Sequence, residues 1–122
     1  MAHVLVIDDD EFFREVLMQM LHKEGHQVTV SPDGANALGL LNRIQPDLII
    51  TDILMPNMDG VEFIMELSKQ SNNTPLIAMS GGRRSITSAF NLESARLLGV
   101  KVTLTKPFAM TALRSALEAA LA

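Results

Sequence analysis

Alternation between short apolar runs and helix-spaced segments constrains this chain more than any other feature. Val4–Ile7, Leu48–Ile50 and Leu76–Met79 are apolar at consecutive positions, and Gln27–Val30 and Val102–Thr105 are β-branched segments of similar length. Runs apolar on both faces suit strands of a parallel sheet covered on both sides. Between them, Phe13, Leu17 and Leu21 fall four apart, with Phe12, Val16 and Met20 beside them, which gives a broad apolar helix face. Leu113, Leu117 and Leu121 repeat the pattern near the C-terminus, widened by Ala112, Ala116 and Ala120. Gly25 stands where the first helix needs a C-cap, Pro46 and Pro75 precede apolar strands, and Gly99 closes a fourth helical pattern. A second helix is expected over about Asp33–Arg43 and a third over about Gly60–Lys69. The fourth pattern, with Ile86, Phe90 and Leu97 on one stripe, is interrupted by Ser and Asn.

Strand followed by helix five times over predicts an α/β fold, a doubly wound (βα)5 five-stranded parallel sheet of flavodoxin-like form. At 122 residues the chain has room for one core, and no linker, repeat or low-complexity stretch divides it. Residues 1–122 are therefore expected to form a single domain, with no output domain within the chain. In such sheets the working residues lie beyond the carboxyl ends of the strands, at a topological switch point.

Several function classes drop out early. Cysteine is absent, which removes disulfides, thiolate chemistry and cysteine zinc sites. A net charge of -4, with only Arg83-Arg84 as a basic cluster, argues against direct binding of nucleic acid. No apolar run approaches the roughly 20 residues that span a bilayer. The first residues lack a basic region and a small-residue cleavage site, so neither a signal peptide nor a membrane association is expected and a cytoplasmic location is. His3, His22 and His26 have no metal-ligand spacing and read as surface or strand-edge residues.

The residues that carry chemistry follow strands. Asp8, Asp9 and Asp10 come after the first run, Asp52 after the third, Ser80 ends the fourth, and Lys106 ends the fifth before Pro107. Each alone has an ordinary explanation: Asp10 or Glu11 as a helix N-cap, Ser80 as a turn former, Lys106 as a solvated loop residue. Brought together on one rim they differ, because converging carboxylates repel one another unless a cation or a lysine compensates. Such a rim either holds a hard divalent cation through oxygen ligands, with Mg²⁺ the natural choice, or raises the pKa of one carboxylate.

Three stretches carry a family resemblance: Val4-Leu5-Val6-Ile7-Asp8-Asp9-Asp10, Asp52-Ile53-Leu54-Met55-Pro56-Asn57-Met58-Asp59-Gly60, and Thr105-Lys106-Pro107-Phe108. Together, in this order and over essentially the whole chain, they resemble the receiver domains of response regulators, the CheY-like phosphoacceptor modules of two-component signalling. The resemblance implies that Asp52 accepts a phosphoryl group from a phosphohistidine of a sensor histidine kinase or a histidine phosphotransfer protein. Mg²⁺ would be held by Asp9 and Asp52, by Asp8 through water, and by the backbone carbonyl of Leu54. Lys106 would meet the phosphoryl oxygens, and the Ser80 hydroxyl would bond to one of them. The resemblance also implies a cis peptide at Lys106–Pro107, a downstream protein target, and no enzymatic role beyond the domain's own phosphorylation and dephosphorylation.

Two features depart from the family pattern. Thr103 stands where receivers carry an aromatic switch residue, so the usual aromatic rotamer cannot report phosphorylation here. The Ser80-Gly81-Gly82-Arg83-Arg84-Ser85 segment makes the loop before the fourth helix longer than usual, and its paired glycines suit a loop that rearranges and shapes a partner surface. Leu54, two positions after Asp52, is apolar, from which slow self-dephosphorylation is expected. Other readings remain open at this stage. Asp8-Asp9-Asp10 imitates the D-x-D start of haloacid-dehalogenase phosphatases, although Phe12 occupies a place where that family has Thr or Val. A receiver-shaped interaction module that is never phosphorylated would not need the full set of Asp8, Asp9, Asp52, Ser80 and Lys106. A flavodoxin-like cofactor binder would find a phosphate repelled by Asp8–Asp10.

Overall fold

The computed structural model of the chain describes residues 1–53, 60–81, 96 and 99–122. Five strands form one sheet: β1 (His3–Ile7), β2 (Gln27–Ser31), β3 (Leu48–Asp52), β4 (Leu76–Gly81) and β5 (Val102–Lys106). Four described helices accompany them: α1 (Glu11–Lys23), α2 (Gly34–Leu40), α3 (Gly60–Lys69) and α4 (Met110–Leu121). All pairings are parallel and the order is β2-β1-β3-β4-β5. The chain steps outward from β1 to β2 and then returns to the other side of β1, so the switch point lies between β1 and β3.

Burial separates the strands as their composition demands. β1 and β3 are buried almost throughout and β4 at its four central residues, whereas the edge strands β2 and β5 are mixed. Alternate side chains enter opposite cores. Val4, Val6, Leu48, Ile50, Ile77 and Met79 pack with Leu17 and Leu21 of α1 and Leu113 and Leu117 of α4. Leu5, Ile7 and Ile49 face the other way, against Ala37 of α2 and Phe63 and Leu67 of α3. Helices therefore cover both faces, as the double run of apolar residues requires.

Helix ends follow local chemistry. Asp10 caps α1, its Oδ1 accepting from the Phe13 N–H at 3.1 Å, and Asp33 caps α2 in the same way through Asn36. Gly25 adopts φ +84°, its N–H donating to His22 O while His26 N–H donates to Leu21 O, which closes α1 as a Schellman turn. The expected limits of α3 coincide with those found. The second helix is shorter than expected: α2 stops at Leu40 and residues 41–43 form a turn, with Arg43 N–H bonded three residues back to Leu40 O. The broad apolar face expected of α1 is narrower as well. Leu17 and Leu21 are buried, but Phe12 is 79% exposed and Val16 is also exposed, because the sheet covers only one side of the helix. Leu121 is likewise exposed past the last turn that packs on the sheet. The ragged stripe of Ile86, Phe90 and Leu97 lies outside the described residues, as does the Gly82-Arg83-Arg84 part of the long loop. No helix among the described residues is long and apolar enough to cross a membrane.

Candidate functional site

The C-terminal ends of β1, β3, β4 and β5 stand side by side, and each contributes a polar group. Asp8 follows β1 and is fully buried, Asp52 closes β3 at 5% exposure, and Ser80 lies one residue before the end of β4 at 1% exposure. Lys106 closes β5 and reaches across the sheet ends to both acids. Its Nζ lies 2.8 Å from Asp8 Oδ2 and 2.7 Å from Asp52 Oδ2. The other oxygen of Asp8, Oδ1, accepts from the backbone N–H of Asp10 at 2.9 Å. Arg14, on the first turn of α1, donates from Nη1 to the carbonyl oxygen of Asp8 at 3.0 Å, which ties the head of the helix to the site. Thr51 Oγ1 donates to the backbone carbonyl of Asp52 at 2.9 Å.

Burial alone would push the Lys106 ammonium towards its neutral form. The hydrogen bonds to Asp52 and Asp8, and the charges behind them, outweigh that effect and raise its pKa above the ordinary 10.5. One lysine thus faces more than one acid. Asp8, Asp9 and Asp52 each offer a carboxylate oxygen, and these oxygens lie within 4.8 Å of one another. Hard oxygen donors at that spacing, on two buried residues and one partly buried one, fit a small divalent cation.

Ser80 presents a different kind of signal. Its Oγ is buried without a hydrogen-bond partner among the described residues. A buried hydroxyl left unpaired carries a cost of about 1–3 kcal/mol, so its presence marks a place where an acceptor is expected to arrive.

The fold brings Asp8, Asp9, Asp52, Ser80 and Lys106, the residues singled out in the sequence, to one rim. Leu54, whose backbone carbonyl the resemblance made a ligand, lies outside the described residues. The Lys106–Pro107 peptide is cis. Asp10 is the helix cap. Thr103 does more than pack in β5, since its Oγ1 accepts from Arg96 Nη2 at 3.1 Å. His3 and His26 sit at the opposite end of β1 and β2, bonded to Thr29 Oγ1 and to the Ala2 N–H.

The comparisons agree with this geometry. The family model of the response regulator receiver domain matches residues 4–118. This chain belongs to the response regulator receiver family. Receiver domains bind Mg²⁺ at an acidic pocket, and this chain gathers Asp8, Asp9 and Asp52 into an acidic cluster. Over 120 residues and 98% of its length the receiver is 37% identical to the transcriptional regulatory protein GlrR of Escherichia coli (strain K12), of which it covers 26%. It is 30% identical over the same length to the response regulator MprA of Mycobacterium sp. (strain KMS), of which it covers 50%. The chain thus spans half or less of the length of these curated relatives. Among solved structures, the chemotaxis response regulator CheY4 of Vibrio cholerae superposes with a TM-score of 0.86 at 31% identity, covering 99% of both chains.

Sequence reasoning missed two neighbours of the site. Spacing puts Phe13 on the apolar face of the first helix, yet Lys106 Nζ lies 4.4 Å from its ring centroid. Spacing marks Gly60 only as the start of the third helix, yet a Cβ there would lie 2.3 Å from the Asp52 carbonyl oxygen. Neither contact has a signal in residue spacing, because both depend on how helix and strand ends approach in space.

Proposed function

We propose that this receiver accepts a phosphoryl group on Asp52 from a phosphohistidine of a sensor histidine kinase or a histidine phosphotransfer protein, in an Mg²⁺-dependent reaction, and so signals to a protein target. The observation that carries this reading is the setting of Asp52. The same carboxylate bonds to Lys106 at 2.7 Å and shares a cluster of cation-competent oxygens with Asp8 and Asp9.

An oxygen of Asp52 attacks phosphorus, the phosphorus–nitrogen bond to the donor imidazole breaks, and the electron pair returns to that nitrogen. Phosphoryl transfer asks little of a protein beyond in-line placement and neutralisation of charge on the equatorial oxygens. Asp9 and Asp52, with Asp8 through water and the Leu54 carbonyl, would hold Mg²⁺, which would supply part of that neutralisation. Lys106 supplies the rest by moving its Nζ from Asp52 Oδ2 to the incoming oxygens. The Ser80 hydroxyl, buried and without a partner among the described residues, donates to one of them.

The altered surface comprises β5, the loop before the fourth helical segment and α4, with Thr103 and its bond to Arg96 in place of an aromatic switch. Residues 1–122 act as one receiver unit in the cytoplasm, by protein contact rather than by binding nucleic acid. Turnover of external substrates is not part of this role. Treatment of the wild type and of Asp52→Ala with acetyl phosphate and Mg²⁺, read by intact mass, tests the proposal. Phosphoryl mass is expected on the wild type alone, and a wild type that gains none refutes it.

A further inference from the structure

An ammonium group has three N–H donors, and in Lys106 two of them are met by Asp8 and Asp52. The Phe13 ring takes up a further side of the group, with Nζ 4.4 Å from its centroid, well inside the range of about 6 Å over which a ring face attracts a cation. The surroundings strengthen the contact, because the Lys106 side chain is 7% exposed and Asp8 is fully buried. Phe13 is itself fixed from two directions. Its N–H is held by the Asp10 cap, and its ring stands nearly perpendicular to that of Phe108, 81° between planes and 5.7 Å between centroids. Phe108 lies two residues after Lys106, so one short segment supplies both the cation and the ring that braces its support.

Lysine carries its charge on a flexible four-carbon stem, and holding it in one geometry costs rotamer freedom. Both of its ionic partners belong to the proposed reacting centre, and modification of Asp52 consumes one of their charges. The ring is untouched by that chemistry. We propose that Phe13 is a positioning residue whose ring face keeps Lys106 Nζ at the strand ends while its anionic partners change, so that phosphorylation of Asp52 depends on an electron-rich ring at position 13. The inference rests on the reading of Asp52 as phosphoacceptor and adds to it a residue that does not touch the phosphoryl group.

The test compares wild type, Phe13→Leu, Phe13→Tyr and a chain carrying a trifluorinated phenylalanine at position 13. The fluorinated ring keeps its shape and packing but loses most of its attraction for a cation, so it remains informative if Phe13→Leu folds poorly. Rates of Asp52 phosphorylation by acetyl phosphate at saturating Mg²⁺ are measured by intact mass, and the Lys106 ε-proton shifts by NMR. Phe13→Leu and the fluorinated chain are expected to react about three- to tenfold more slowly, with Phe13→Tyr within about twofold of wild type. The upfield ring-current shift of the ε protons should vanish in Phe13→Leu and persist in Phe13→Tyr. In a Lys106→Met background the ring has nothing to position, and Phe13→Leu should then change the residual rate by less than about twofold. Wild-type rates in both ring-deficient chains overturn the proposal, as does an equal loss with and without Lys106. A wild type that takes no phosphoryl group refutes the reading of Asp52 instead, a result distinct from transfer that ignores the ring.

Discussion

Gly60→Ala puts a single methyl group where the backbone leaves no room. The added Cβ would lie 2.3 Å from the Asp52 carbonyl oxygen, 2.7 Å from Ile53 Cα and 3.1 Å from the Asp52 carbonyl carbon. All three are main-chain atoms, so no side chain can swing aside. An ordinary carbon–oxygen contact needs roughly 1 Å more than is available, and either the head of α3 or the end of β3 must move. Both are held: Gly60 N–H donates to Ile53 O at 2.8 Å, and the Asp52 carbonyl accepts from Thr51 Oγ1. Overpacking of this kind costs about 1–3 kcal/mol, and the better helix propensity of alanine returns at most about 1 kcal/mol at the first position of a helix. A net loss of about 2 kcal/mol corresponds to a melting point lower by about 6–10 °C for a domain of this size. Because the strained contact is to Asp52 itself, a shift of about 1 Å should also slow its phosphorylation by up to about 100-fold. Gly39→Ala is the internal control. It lies within α2, and a Cβ there meets nothing within 4 Å. The same change should stabilise the protein by about 0.5–1 kcal/mol and leave the rate alone. Thermal unfolding followed by circular dichroism, with acetyl-phosphate labelling read by intact mass, decides the matter. Equal melting points and rates for the two variants would refute the close-approach argument.

Lys106→Met leaves Asp8 and Asp52 without their shared cation and should cost about 3 kcal/mol in metal-free buffer, measured by urea unfolding. Since the folded pKa of Lys106 is raised, its contribution is complete below the ordinary lysine value of 10.5 and is lost only as pH rises through the folded value. The gap between wild type and Lys106→Met should therefore be flat from about pH 7 to 9 and narrow in stronger alkali, and narrowing already below pH 9 would contradict the sign of the shift. Ser80→Ala removes a buried hydroxyl without a partner among the described residues and should raise the stability of the unmodified protein by about 1 kcal/mol, while weakening binding of beryllofluoride, a phosphoryl mimic. A destabilised Ser80→Ala with normal beryllofluoride affinity would count against the role given to the hydroxyl. Leu54→Asn, which exchanges an apolar group two residues from Asp52 for one that can orient water, should hasten phosphate release, and unchanged release kinetics would remove the apolar side chain as the cause of a slow rate.

What the sequence revealed followed from period and order. Consecutive apolar positions in Val4–Ile7 and Leu48–Ile50 could only be buried on both faces, and that requirement with five alternations fixed a parallel sheet. Placing Asp8, Asp52, Ser80 and Lys106 after strands then followed from topology, and the resemblance gave them roles. Contacts across space were hidden. Phe12 and Phe13 look alike as adjacent apolar residues on a helix, yet one is exposed and the other lies over an ammonium group. Their difference is set by the angle at which α1 meets the sheet, which spacing does not encode. Thr103 could be recognised as a departure, but its bond to Arg96, seven residues earlier, is a contact that spacing does not encode.

The unequal engagement of the two phosphoryl-side donors gives the proposed switch its direction. Lys106 already bonds Asp8 and Asp52, so turning its Asp52-bound donor to a phosphoryl group exchanges one bond for another, while Asp8 remains as a pivot about which the ammonium can turn. Ser80 Oγ has no partner among the described residues, so an acceptor delivered within reach adds a hydrogen bond there. Modification of Asp52 thus favours the arrangement in which Ser80 is bonded, which is the differential interaction a two-state element needs before a local event can bias it. The register carries that bias in one direction. Asp52 pairs with Met79 beside Ser80 on β4, and Ser80 and Gly81 pair with Thr105 and Lys106 on β5. The pull is thus exerted on the β4–β5 edge, where Thr103 holds Arg96, and not on β2 at the far side of the sheet.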